Sequence, residues 1–316
     1  MQSFSSSPPG HRPRLLVVEL WGLGDVAMAV PFLRAAARHA DVTLLAKQHA
    51  TPLVQRFCPE VEHIAFNAPW TAFRGKYRMH AWPWREIAAG LGALRKRRFS
   101  TAVSARPDPR DHALMLAAGA KARVGFPRAG SRIFLNTALA RPAGQHRFAH
   151  WQAVAEAFGW NLPAPNPVPR TGRQVVIHLG AAQPTRQWGR EHFGEIARRL
   201  RQTGWQVTML DDQSGHLENL MHTLAAADRF IGNDSGPGHL AALLGVPTFT
   251  VFGSYPAEQF HPLHPQAAWI DGAPCPYKPC QDYCRFAEPH CIRSVTVDET
   301  WTRIGNWLAQ APSTER

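Results

Sequence analysis

No stretch of the 316-residue sequence is both long and apolar enough to cross a membrane. The best candidate, Leu15 to Leu33, is broken by Glu19, Gly22, Gly24, Asp25 and Pro31, which excludes a spanning helix. Met1 to Arg14 is rich in Ser and Pro and has no apolar run of its own, so it reads as a disordered lead and not as a secretory signal. The expectation is a protein that stays on the cytoplasmic side. Cysteine is scarce, five residues in all, and four of them fall within Cys275 to Cys291. That distribution excludes a disulfide framework spread through the fold. Acidic residues are few as well, 23 against 35 Lys and Arg.

The resulting charge of +12 is unevenly placed. Met1 to His150 holds 22 basic and 8 acidic residues, a net of +14, and the remainder holds 13 and 15, a net of −2. A basic first half beside a near-neutral second half suits a polyanionic partner such as nucleic acid, an acidic glycolipid or a membrane surface. An Arg-rich solvated surface is the plain alternative. The basic residues form no recognised nucleic-acid motif, and no nucleic-acid partner is expected.

What is present is a repeated strand and helix pattern. The spacing predicts strands over Leu15–Leu20, Asp41–Ala46, Val61–Phe66 and Thr101–Ser104. Between and after them it predicts helices over Asp25–His39, Gln48–Phe57, Arg85–Arg98 and Asp111–Gly119. Residues 161–173 carry a run of prolines without periodicity and read as an extended linker. A second series follows, with strands over Gln174–Leu179, Trp205–Leu210, Arg229–Ile231 and Pro247–Phe252, and helices over Glu191–Gln202, His216–Ala226 and Pro237–Leu244. The expected organisation is a lead over 1–13, a domain over 14–160, the linker, a second domain over 174–297, and a C-terminal helix and tail over 298–316. Two α/β halves with parallel, helix-covered sheets place a ligand site in the cleft between them, at strand carboxyl ends.

Five segments could carry chemistry. Gly232-Asn233-Asp234-Ser235-Gly236-Pro237-Gly238-His239 follows a short apolar strand and opens a helix. Backbone N–H groups at such a start form an anion site, with Ser235 as cap, Pro237 in the first turn, Asp234 toward a sugar hydroxyl and His239 toward phosphate. An ordinary capped turn has the same appearance. Trp21-Gly22-Leu23-Gly24-Asp25 brings a carboxylate to a helix start, where Asp25 is either an N-cap, worth about 1 kcal/mol, or a general base. Thr185, Arg186 and Trp188 sit in a loop after a strand, where a guanidinium could neutralise a departing diphosphate or simply lie on the surface. Cys275, Cys280, Cys284 and Cys291 suggest a structural Zn or Fe, though their spacing matches no common zinc pattern, and free thiols or one oxidised pair are the alternatives. Asn67 to Arg85 mixes Trp70, Phe73, Tyr77, Trp82 and Trp84 with Arg74, Lys76, Arg78 and Arg85. That mixture suits a membrane interface or a phosphorylated glycan, or is a surface loop without a partner.

Taken in order, Leu23-Gly24-Asp25, Arg106-Pro107-Asp108 to Val124-Gly125-Phe126, His178-Leu179-Gly180-Ala181 to Arg186-Gln187-Trp188, and the Gly232 to His239 motif resemble the lipopolysaccharide heptosyltransferase family, glycosyltransferase family 9. The resemblance spans Leu15 to about Gln310. It implies the GT-B fold, two Rossmann-like domains facing each other across a cleft, the first binding acceptor and the second donor. It implies an inverting transfer of heptose from an ADP-sugar to an anionic glycolipid or glycan such as lipopolysaccharide core, with no cofactor required for catalysis and a possible peripheral contact with the inner membrane. Carried over by residue, Asp25 is the expected base and Arg186 its catalytic partner at the diphosphate. Thr185, Asp234, Ser235, Gly236 and His239 are the expected donor residues, and Gly24, Arg106, Arg74 and Lys76 the expected acceptor residues. Glu19 and Trp21 stand where relatives often carry Arg and Ser, and Ser104-Ala105-Arg106 replaces a more usual Asp-x-Arg, so the departures lie on the acceptor side. Other readings are a different nucleotide sugar, a protein acceptor, or a silent glycan-binding relative. A methyltransferase is disfavoured because the second strand ends at Ala46-Lys47 and not at an acidic residue.

Overall fold

A computed structural model describes residues 12–72, 76, 78–142, 144–163, 165, 167, 169–211, 216–280 and 283–310. The chain divides into two compact units, Met1–Pro163 and Ala164–Arg316.

The first unit contains, in order, β1 (Arg14–Val18), α1 (Leu23–Ala37), β2 (Asp41–Ala46), α2 (Thr51–Phe57), β3 (Glu62–Ala65), α3 (Trp84–Lys96), β4 (Thr101–Val103), α4 (Pro109–Ala117), β5 (Ala122–Gly125), β6 (Thr137–Ala138) and α5 (Ala149–Ala157). Its sheet has the order β3-β2-β1-β4-β5-β6, with every pair parallel. β1 is a continuous apolar run because it lies in the middle: Leu15, Leu16, Val17 and Val18 are wholly buried, which requires helices on both faces. Leu16 and Val18 pack in one cluster with Phe66, Trp70, Phe99, Leu114 and Met115.

The second unit contains β7 (Gln174–His178), α6 (Arg190–Gln202), β8 (Gln206–Leu210), α7 (Leu217–Ala226), β9 (Arg229–Asn233), α8 (Gly236–Leu243), β10 (Thr248–Phe252), α9 (Ala257–Phe260), β11 (Ala268–Asp271), α10 (His290–Arg293) and α11 (Val297–Leu308). Its sheet, also parallel, has the order β11-β10-β9-β7-β8. In α6 the buried residues Phe193, Ile196, Ala197 and Leu200 recur at helical spacing, while Glu195 pairs with Arg198 and Arg199 on the other side. α11 is capped by Thr296, whose hydroxyl accepts the Glu299 N–H at 3.2 Å, and its Ile304 and Trp307 complete the cluster around Val175, Ile177 and Phe193.

The strand orders decide where function can sit. In each sheet the chain leaves the first strand toward one edge and later returns to the first strand's other side. β1 and β4 flank that reversal in the first unit, β7 and β9 in the second. Loops leaving the carboxyl ends of two such strands diverge and open a crevice.

Candidate active site

In the first unit the loops after β1 and β4 meet around Arg106. α1 starts earlier than the sequence suggests: Gly22 is its N-cap and Asp25 its third residue, so Asp25 is not an N-cap. Its carboxylate still serves the helix start, because Oδ2 accepts the Gly22 N–H at 3.1 Å. Oδ1 accepts from Nη2 of Arg106 in a close ion pair. Arg106 Nε lies 3.5 Å from Glu19 Oε1, within ion-pair reach, and the guanidinium stacks 4.5 Å from the Trp21 ring centre. Glu19 is fully buried, and its carboxylate receives only a weak hydrogen bond, from the Trp21 backbone N–H. Burial and the neighbouring Asp25 push its carboxyl up to about 7, against the pull of Arg106 and Arg147. Burial disfavours the charge on Arg106, but Asp25, Glu19 and Asp111 outweigh it and push its pKa up. Arg147, also buried, donates Nη1 to Ala105 O at 2.7 Å and is pushed down to about 10 by burial and by Arg106.

The expected acceptor residues fare unevenly. Gly24 is buried in the first turn of α1, and Arg106 lies in the cluster beside Asp25. Lys76 is half-buried in the loop between β3 and α3, and Arg74 lies outside the described residues. Of the aromatic residues of that loop, Trp70, Trp82 and Trp84 are among the described residues, and Phe73 and Tyr77 are not. Trp70 is buried in the core, and the rings of Trp70, Trp82 and Trp84 follow one another in tilted contacts with centres 5.7 and 5.3 Å apart, leaving Trp84 half-exposed.

In the second unit the loops after β7 and β9 meet in the same way. Asn233, the last residue of β9 and wholly buried, accepts the Trp188 N–H at 3.0 Å and donates Nδ2 to Leu179 O at 2.8 Å. These two bonds hold the ends of the β7–α6 loop, which carries Thr185 and Arg186. Arg186 is a quarter exposed. Its Nη1 lies 3.5 Å from Asp234 Oδ2, its Nε donates to Gln183 Oε1 at 3.0 Å, and its plane lies 4.2 Å from the Tyr255 ring centre. Thr185 is buried with its hydroxyl lacking a partner. Asp234 and His239 are buried, and Gly236 opens α8. Ser235 occupies the N-cap position, but its hydroxyl donates to Asn233 O at 3.2 Å and accepts no helical N–H, so the expected side-chain cap is absent. Gly232 has a packing role of its own. It lies inside β9, where a Cβ would come within 2.9 Å of the Phe230 ring and 3.2 Å of His178 O. Trp188 is structural, buried with its indole N–H on Val295 O at 2.8 Å.

The sequence reading missed Glu19 and Arg147 as site residues, and also Asn233, Gln183, Tyr255 and Gly253. Asn233 was visible inside the motif, but its role depends on a loop 45 residues away. A Cβ on Gly253 would lie 2.6 Å from Thr185 O, so this glycine is what lets the Arg186 loop close down on β10.

The cysteines are free thiols. Among the described residues no three His, Cys, Asp or Glu side chains are placed to hold a metal ion. The structural metal expected at Cys275, Cys280, Cys284 and Cys291 therefore finds no ligand set. Cys291 is buried on α10, while the other three are half-exposed in the preceding loop. Burial, together with neighbouring thiols, pushes the Cys280 thiol up, which favours the protonated form and not a thiolate.

Residues 213–289 match the family model for glycosyltransferase family 9 (heptosyltransferase). The match contains the Gly232 to His239 motif, so the resemblance read from the sequence holds where it was strongest. The structure of Escherichia coli heptosyltransferase WaaC with ADP is similar at a TM-score of 0.72 and 16% identity, over 93% of this chain and 99% of that one. A family 9 glycosyltransferase of Veillonella parvula gives 0.71 and 16%, over 96% and 99%. E. coli ADP-heptose lipopolysaccharide heptosyltransferase II gives 0.64 and 19%, over 93% and 98%. A search of curated proteins found no match. The fold is the GT-B fold expected, two parallel-sheet α/β domains. The chain is similar to heptosyltransferases in fold and, over residues 213–289, in sequence.

Proposed function

We propose that the protein is an inverting glycosyltransferase that moves a heptose from ADP-heptose to a hydroxyl of an anionic glycan acceptor such as lipopolysaccharide core. The observation that carries the reading is the pair of strand reversals, one in each unit. One strand reversal presents a carboxylate, Asp25, and the other presents a guanidinium, Arg186, beside a helix start. A displacement at an anomeric carbon needs those two things, a base for the incoming hydroxyl and positive charge for the leaving diphosphate.

In this reading Asp25 takes the acceptor's proton as the new C–O bond forms, and the bond from the anomeric carbon to the diphosphate oxygen breaks with its electron pair leaving on ADP. Arg186, the Thr185 hydroxyl and the backbone N–H groups at the start of α8 receive that charge, which makes the transfer metal-independent. The diphosphate competes with Asp234 for Arg186, and the freed Asp234 accepts hydrogen bonds from sugar hydroxyls. Ser235, Gly236 and His239 complete the donor side. Gly24, Arg106, Arg74 and Lys76 belong to the acceptor side, where the basic first half of the sequence suits an anionic glycolipid and peripheral contact with the cytoplasmic face of a membrane. No helix among the described residues is long and apolar enough to span one.

Asp25→Ala is expected to abolish transfer from ADP-heptose and leave ADP affinity nearly unchanged, because Asp25 and Arg186 belong to separate units. Transfer at the wild-type rate would remove the base assignment. Thermal-shift screening against ADP, UDP and GDP should respond selectively to ADP, and a selective response to another nucleotide would replace the donor.

A further inference from the structure

The Asp25 crevice contains a second carboxylate that the transfer reaction, as written, does not use. Glu19 follows β1, fully buried, and meets Arg106 at a different nitrogen from Asp25: Nε faces Glu19 Oε1 at 3.5 Å and Nη2 is bound to Asp25 Oδ1. Trp21 covers the guanidinium face at 4.5 Å, so the arginine has little freedom to leave either partner. A carboxylate is costly to bury, and this one is buried with Arg106 at ion-pair distance and a weak hydrogen bond from the Trp21 backbone N–H. A Gln or Leu would fill the same place at lower cost, so the charge itself needs an explanation.

We propose that Glu19 is a positioning residue that shares Arg106 with Asp25 and thereby keeps Asp25 able to accept the acceptor's proton. A carboxylate held alone by a guanidinium is a poor base, because the arginine favours its charged form. A second carboxylate on the same guanidinium divides that attraction and adds its own repulsion. The other charged groups facing Glu19 are Arg147, from the segment before α5, and Asp111, on α4. Lys47, after β2, acts on Asp25 and Arg106. With Glu19 lifted to about 7, it is half ionised near neutral pH and strengthens Asp25 most above that point. The inference rests on the reading of Asp25 as base for its consequence in catalysis, but the coupling itself is measurable without any substrate.

The full-length protein, labelled with 13C at the Asp and Glu carboxyls, is titrated from pH 3 to about 9, with Asp25→Asn and Glu19→Gln assigning the two signals. The Asp25 signal is expected to report Glu19 ionisation as a second step near neutrality. In Glu19→Gln that step disappears and the Asp25 midpoint falls by about one unit. A Glu19→Gln curve that superimposes on wild type overturns the proposal. If that variant does not fold, Glu19→Asp provides the test. Withdrawal of the carboxylate by one methylene should displace the second step without removing it, and an unchanged curve again overturns the proposal. Transfer assays with ADP-heptose and heptose-deficient lipopolysaccharide separate the two ideas. Full activity in Asp25→Asn defeats the base reading, whereas loss there with an unaltered Asp25 titration in Glu19→Gln defeats only the role of Glu19.

Discussion

Replacing Asn233 by Ala tests the construction of the donor crevice directly. The substitution removes the acceptor for the Trp188 N–H and the donor to Leu179 O, bonds of 3.0 and 2.8 Å. Trp188 is buried, so its N–H stays without a partner, while the half-buried Leu179 carbonyl can recruit water. A buried backbone group left unsatisfied costs about 1–3 kcal/mol, and the pair together about 2–4 kcal/mol. For a unit of this size that lowers Tm by about 5–15 °C in the transition that includes it. The loop carrying Thr185 and Arg186 also loses its tether, and ADP affinity should fall about tenfold through the ordering that binding must then supply. Differential scanning calorimetry reads the first effect and isothermal titration the second. A variant that melts within a degree of wild type and binds ADP equally well would show that Asn233 does not hold the loop.

Two further perturbations address the same architecture. Gly253→Ala should displace the Arg186 loop, because the new Cβ meets Thr185 O at 2.6 Å and Ile292 Cβ at 2.8 Å. A loss of about 1–3 kcal/mol by urea denaturation is expected, whereas Gly305→Ala, with open space around it in α11, should be neutral or slightly stabilising; equal behaviour of the two would refute the close approach. Asp111 is buried beside Ser104 Oγ, and burial with Asp108 and Glu19 nearby pushes its carboxyl from 3.8 to about 8. A carboxyl raised on folding contributes stability that is complete below its unfolded value and is lost as pH rises through the folded one. Asp111→Asn should therefore flatten the loss of stability between about pH 4 and 8, and a urea midpoint whose pH slope is unchanged would contradict the assignment.

Much of the fold was legible because its signals are local. β2 runs from Asp41 to Ala46 as its apolar spacing indicates, and α6 is plain from the four-residue recurrence of Phe193, Ala197 and Leu200's neighbours on one face. β6, only Thr137–Ala138, and β11, Ala268–Asp271, offered no such pattern. Too few residues lie in them for periodicity to show, and they exist because a neighbouring strand edge was available to pair. The start of α1 was placed late because a glycine, Gly22, serves as N-cap and Asp25 caps from inside the helix. The four cysteines are close enough for their thiols to act on one another, but whether they share an ion is a matter of side-chain geometry that spacing along the chain does not carry.

By itself the sequence determined the alternating elements, the two-unit organisation and the residue types that chemistry would need, since each of these is written in neighbours a few positions apart. Strand order was decided only in the tertiary structure. It sets β4 beside β1, so that Arg106 reaches Asp25 across 81 positions and Glu19 shares it, and β9 beside β7, so that Asn233 pins the loop of Arg186. Such pairings follow from which edge of a sheet each helix crossover covers, a long-range packing choice that no local spacing records.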